Sequence, residues 1–245
     1  MESSQYYFVP PQSGRMEIIM KRSEINKILL KADRFIEKMG FKLPPFAHFP
    51  AEKWRELGDE WEEVRDNMLG WDITDYGHGR FYEIGLVLFT IRNGNITNPR
   101  YKKTYAEKLL ISEEGQVCPN HFHFSKMEDI INRGGGNLIM RVWQSDEQGG
   151  LSSGPLRIMT DGYWRTVQAG TTLRLEPGMS ITLPPGQYHE FWAEPGYGKV
   201  LIGEVSSVND DNSDNWFYEP QGRFPRIEED EPPLYLLCNE YNKFV

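Results

Sequence analysis

The chain has 245 residues, 39% of them hydrophobic, which is enough for one sizeable core and compatible with a single large all-β domain. Its formal net charge of −9, with no local basic stripe, argues against a nucleic-acid partner. Cys118 and Cys238 form no CxxC and are too few for a disulfide scaffold, and no apolar run is long enough to cross a membrane as a helix, so a cytoplasmic setting is expected.

In chain order, residues 1–19 lack the basic start and apolar stretch of a signal peptide and are expected to form a disordered extension. A helix is predicted from Ser23, a good N-cap. Ile25, Ile28, Leu29, Ala32, Phe35, Ile36 and Met39 recur at helical spacing, and Gly40 suits the position just past the end. Pro44 and Pro45 prevent its continuation. A second helical patch follows Pro50, where Trp54 and Leu57 lie one turn apart. Gly58 interrupts it, and Trp61, Val64 and Met68 resume the period up to Gly70. Residues 20–70 therefore read as a helical addition packed on the outside of a β-domain spanning 71–245.

After "GWDITDYGHG" the period changes. "RFYEIGLVLFTIRNGN", "TYAEKLLIS", "NLIMRVWQS", "TTLRLEPGMSITLPPG" and "KVLIGEVSSV" are rich in β-branched and aromatic residues and are separated by Gly, Pro or Asn turns. Strand follows strand with no helical pattern between, so the sheets are expected to be mainly antiparallel, in a sandwich or barrel. Exposed sheet edges and the commonness of cyclic dimers make a homodimer the expected assembly.

"CPNHFHFSKMEDIINRGG" carries the chemistry. Residues two apart on a strand point the same way, so His121 and His123 share a face, and a bend must bring the Glu128 carboxylate back to them. Imidazole with carboxylate suits Mn, Fe, Zn, Co or Ni rather than Ca or Mg. Taken alone, two histidines on a strand are equally a structural pair. The flanking residues decide between the two. Gly115, five residues, His121, one, His123, four, Glu128, six, Gly135 is one motif; Gly178, five, Pro184, one, Gly186, two, His189 is another. Together they resemble the two motifs of the cupin family, although Ala193 stands where that family often has Asn. The resemblance implies a double-stranded β-helix (jelly-roll) barrel with a metal at its mouth, bound by His121, His123, Glu128 and His189. Two neighbouring positions on an octahedral ion would remain open for a bidentate ligand.

More of the chain, from about Met20 to Tyr241, is similar to the D-lyxose isomerase family. The similarity rests on "MKRSEIN…LPPFAHFPAEKW", "GWDITDYGHGRFYEIGLVLFTIRNG", "YAEKLL", "HFHFSKMEDIINRGGG", "GQYHEFWAE" and "GEVSSVNDDNSDNWFYE". It implies a manganese-dependent ketol-isomerase of free monosaccharides, interconverting D-lyxose with D-xylulose and often D-mannose with D-fructose. Lys108 matches a pocket lysine of that family, with a surface pairing to Glu107 as the alternative. Glu204, a carboxylate in the apolar strand "LIGEVSS", is the first candidate for the proton-transferring base, with a structural salt bridge as the alternative. Asp214 is a second candidate, or a turn cap. Arg223 is a candidate for the distal sugar hydroxyls, and His78 reads as a loop histidine. Two other readings keep the same ligands: an Fe(II) cupin dioxygenase and a non-catalytic sugar-binding cupin.

Overall fold

The computed structural model describes residues 19–210 and 213–243; the extension expected over residues 1–19 lies outside them except for Ile19. The chain opens with β1 (Ile19–Lys21) and the long helix α1 (Arg22–Lys38), followed by the short helices α2 (Ala51–Trp54) and α3 (Glu62–Asp66). Then come β2 (Gly70–Thr74), β3 (Leu86–Arg92), β4 (Tyr105–Ser112), β5 (Val117–His123), β6 (Glu128–Gly135) and β7 (Leu138–Gln144). The series continues with β8 (Leu156–Thr160), β9 (Tyr163–Val167), β10 (Thr171–Leu175), β11 (Ser180–Leu183) and β12 (Gln187–Ala193), and ends with β13 (Val200–Ser207), β14 (Asn215–Phe217) and β15 (Arg226–Glu228).

Two antiparallel sheets face each other. One has the order β10-β7-β12-β5-β14, the other β2-β3-β4-β13-β6-β11-β8-β9. Consecutive strands alternate between the sheets from β4 to β8 and again from β9 to β14, as in a jelly roll, whereas β2, β3 and β4, and likewise β8 and β9, are neighbours in the larger sheet. The sequence dictates the filling. On β7, Leu138, Met140 and Val142 point inward, and they meet Leu110, Ile130, Ile181 and Ile202 from the larger sheet. Each such side chain stabilises the fold by about 1.5–3 kcal/mol when fully buried.

A second core covers the outer face of the larger sheet. Ile25, Ile28, Leu29, Ala32, Phe35 and Ile36 of α1 pack on Trp71, Ile73, Val87, Phe89, Leu109 and Ile111. Strands β2 to β4 are therefore buried on both faces there. This explains why β2 shows no alternation and sits unmarked in the "GWDIT" stretch.

Some local expectations need correction. Helix α1 starts two residues earlier than the Ser23 cap implies, with Lys21 at the N-cap. The Ser23 amide and hydroxyl instead donate to Asp230 at 2.9 and 2.8 Å. Gly40 does end the helix, at φ 79°, donating to the Glu37 carbonyl. The second patch is interrupted at Gly58, as its sequence implies: α2 precedes the glycine, and a 3-10 turn at Asp59–Trp61 and then α3 follow it. Its apolar residues gather around the C-terminal segment, where Trp54 packs on Tyr241 with ring centroids 4.4 Å apart. That tail leaves the barrel: β15 pairs in parallel with β1, and the buried Arg22 guanidinium bridges Glu229 and Glu240. The helical layer is thus built from both ends of the described chain.

Candidate metal centre and catalytic cavity

The site forms where β5, β6 and β12 meet. His189 on β12 lies opposite His121 on β5 in the antiparallel register, and His123 stands two residues further along the same face. Glu128 opens β6 in the facing sheet, after the chain turns at Ser125–Lys126, so the bend required by the sequence is present. Two motif glycines shape the chain at the far end of β6 and at the entry to β12. Gly135 has φ 92°, and a Cβ there would lie 2.3 Å from the Lys199 carbonyl oxygen. Gly186, with φ 75°, turns the chain into β12 three residues before His189.

One ligating atom from each of His121, His123 and His189 falls within 4.8 Å of the others, and all three residues are buried. His121 Nδ1 lies 2.8 Å from the Pro119 carbonyl oxygen, and His189 Nδ1 3.2 Å from that of Gln187. A carbonyl only accepts, so each Nδ1 carries the proton and each Nε2 presents a lone pair. His189 Nε2 and His123 Nε2 stand 3.2 and 3.3 Å from the same Glu128 oxygen. Neither ring nitrogen of His123 has a hydrogen-bond partner, although both are buried. Such an orphaned imidazole beside two presented lone pairs fits a bond to a cation.

Electrostatics agree with that fit. Burial, then the neighbouring His189 and His123, push His121 well below its ordinary pKa. Burial, then the Lys126 ammonium, lowers His123. Burial pushes the Glu128 carboxyl up, but Lys126 and His123 outweigh it and hold the group well below the usual carboxylate range. His121 and His123 are therefore neutral imidazoles and Glu128 an ionised carboxylate, the protonation states metal binding requires. The oxygen and nitrogen donors suit a divalent transition ion.

Two lysines and a second carboxylate complete the wall. Lys126 Nζ lies 2.6 Å from Glu128 Oε2 and 2.9 Å from Glu204 Oε1, and Lys108 Nζ is 3.7 Å from that same Glu204 oxygen. All of these side chains are buried and line one cavity. Lys108 faces inward, and Glu107 pairs with Arg92 instead. Lys126 escaped the sequence reading; the only signal was a basic residue in the tight connection between two histidine- and glutamate-bearing strands. Arg223 also lines the cavity and forms an ion pair with Asp72. Asp214 does not line it. Its carboxylate accepts from the Ser125 amide and hydroxyl at 2.8 and 2.7 Å and from the Lys126 amide at 2.9 Å. It thus caps the turn that presents Lys126. His78 lies apart from the cavity and bonds Gln221 at 2.5 Å.

Leu86, Leu88, Leu110 and Phe191 form the apolar floor of the cavity, and the Phe217 ring lies 5.2 Å from that of His121. Cys118 borders the cavity beside the Tyr76 hydroxyl at 3.1 Å; burial pushes its thiol up to about 12, so it is not a nucleophile at neutral pH.

Barrel and site together define a cupin-type protein with a candidate metal centre. The D-lyxose isomerase family model matches residues 20–241. The chain is 50% identical over 227 residues to the D-lyxose/D-mannose isomerase of Serratia proteamaculans, covering 92% of this chain and 100% of that one. It is also 50% identical over 226 residues to the D-lyxose/D-mannose isomerase of Escherichia coli O157:H7, again 92% of this chain and 100% of the relative. The chain belongs to the D-lyxose isomerase family and is a sugar aldose–ketose isomerase. In fold it is similar to the L-ribose isomerase of Cellulomonas parahominis solved with L-ribose. The TM-score there is 0.55 at 17% identity, over 87% of this chain and 100% of that one.

Proposed function

We propose that the protein interconverts D-lyxose with D-xylulose and, more weakly, D-mannose with D-fructose, using a divalent ion held by His121, His123, Glu128 and His189. The carrying observation is that three converging imidazoles and the Glu204 carboxylate line one buried cavity. When bound, Mn(II), or alternatively Co, Ni, Fe or Zn, supplies Lewis-acid stabilisation for negative charge developing on neighbouring substrate oxygens.

The chain's own groups do the rest. An aldose–ketose shift moves a proton between C1 and C2 through an enediolate, and Glu204 carries that proton. Lys126, between Glu204 and Glu128, orients both carboxylates. Lys108 donates to a substrate oxygen as charge develops there. Arg223 holds hydroxyls beyond the reacting carbons. Asp214 is a positioning residue, because its acceptor oxygens hold the Ser125–Lys126 turn. The apolar floor excludes water and strengthens these interactions.

D-Lyxose and D-mannose share their configuration at C2, C3 and C4. D-Xylose and D-glucose have the opposite C2 configuration, which turns the C2 proton away from a base fixed on the barrel wall. A misplacement of about 1 Å costs roughly 10²-fold. Metal-free protein incubated with Mn(II) and these four aldoses tests the proposal. Ketose should form fastest from D-lyxose. A kcat/KM for D-xylose or D-glucose that equals or exceeds it, or no ketose at all, refutes the assignment.

A further inference from the structure

The cavity at the histidines has a volume of only about 50 Å³. A water-sized group needs about 10–15 Å³ by the same measure, so roughly three to five such groups fit. That accommodates the reacting carbons and their oxygens but not a whole sugar. Lys108 and Arg223 line this cavity and also border a second one, of about 270 Å³, whose wall includes Asp72, Thr90 and Asn93. The Arg223–Asp72 ion pair stands where the two meet. The chamber beyond lacks the metal cavity's floor of leucines and phenylalanine: most of its lining is polar, and Asn67, Asp72, Thr90 and Asn93 are buried there. Asn93 is pinned, its amide exchanging hydrogen bonds of 2.9 and 3.0 Å with the Asn209 backbone. Thr90 sits opposite Lys108 in the β3–β4 register, just before a bulge, and brings a hydroxyl to this wall.

We propose that this second chamber is the subsite for the distal carbons of an extended sugar, with Thr90 on its wall as a residue that sets tolerance for a sixth carbon. The inference rests on the monosaccharide reading above and deepens it. The acyclic polyol would thread past Lys108 and the Arg223–Asp72 pair. Its reacting end would stay at the histidines, and its terminal hydroxyls would exchange hydrogen bonds with the chamber wall. A six-carbon chain reaches further into the chamber than a five-carbon one, so changes at Thr90 act on chain length rather than on the chemistry at C1 and C2.

The test uses Mn(II)-loaded protein, calorimetric affinities for D-arabinitol and D-mannitol (the reduced, non-reacting forms of D-lyxose and D-mannose), and kcat/KM for the two aldoses. Thr90→Leu, which fills the chamber, should weaken D-mannitol at least tenfold more than D-arabinitol. Thr90→Val keeps the shape of the side chain and removes one hydroxyl, so it should shift the same ratio about two- to tenfold. The kcat/KM ratio of D-mannose to D-lyxose should fall in parallel. Equal shifts for both chain lengths in both variants, or no alditol binding by the loaded wild type, overturn the chamber. If the alditol ratios move as expected while the wild type makes no ketose from D-lyxose, the subsite stands and the substrate assignment falls.

Discussion

Lys126→Met is the sharpest test of how the site is held together. The ammonium lies 2.6 Å from Glu128 Oε2 and 2.9 Å from Glu204 Oε1. At an effective dielectric of about 20, each contact is worth about 6 kcal/mol of Coulomb attraction. Desolvating three ions consumes most of that. What a variant experiences is the cost of leaving Glu128 buried without its ammonium and Glu204 with only the more distant Lys108, roughly 3–5 kcal/mol. Methionine is close to lysine in length, so little of this loss comes from packing. For a chain of this size, that corresponds to a fall of about 6–20 °C in the unfolding midpoint. Urea and thermal unfolding of metal-free protein at neutral pH in EDTA measure it. The double variant Lys126→Met/Glu204→Gln should be more stable than Lys126→Met alone, because one stranded charge is gone. The pH dependence has a definite sign. The depressed Glu128 carboxyl contributes stability that is present above its ordinary value of 4.5 and lost as pH falls through its lower folded value. Without Lys126 that folded value rises, so less of the contribution remains at neutral pH and its loss on acidification is complete at a higher pH. A Lys126→Met variant within about 0.5 kcal/mol of wild type, or a double variant that is simply additive, refutes the reasoning.

Other outcomes follow from the same geometry. His123→Ala removes a buried imidazole that lies 3.3 Å from Glu128 but makes no hydrogen bond, and elemental analysis should find the metal lost; full occupancy at unchanged affinity would exclude His123 as a ligand. Glu204→Gln should retain the metal while kcat falls on the order of 10²–10⁴-fold, and turnover within a few-fold of wild type would remove Glu204 as the proton carrier. His121 and His123 are both held below their ordinary value of 6.5, so the unfolded chain takes up their protons first. Their contribution to the stability of metal-free protein is therefore full above about pH 6.5 and lost as pH drops below it. A urea midpoint in EDTA that does not change between about pH 7.5 and pH 5.5 would contradict neutral buried imidazoles.

The converging cluster of His121, His123 and His189, a candidate donor set, was legible because its signal is local. His121 and His123 share a strand face by parity, and the two glycine-bearing motifs fix the turns around them through backbone conformations that side chains resist. The outward helix α1 was legible for a similar reason, since its 3.6-residue period needs no distant partner. Its first residue was misplaced because the Ser23 side chain finds Asp230, a partner 207 residues away, rather than its own helix end. Strand β2 left no alternation to read, because both of its faces are covered. Lys126 and Asp214 could not be assigned from spacing, since each role depends on where the 125–126 turn meets β13 and β14. The Arg223–Asp72 pair joins residues 151 apart in the chain, and the chamber beside it exists only once those strands close. Sequence by itself determined the strand faces, the turns and the candidate metal donors, all set by steric rules acting over a few residues. Only tertiary structure decided which charges neutralise one another and where the cavity continues, because burial and long-range pairing follow from how distant strands meet.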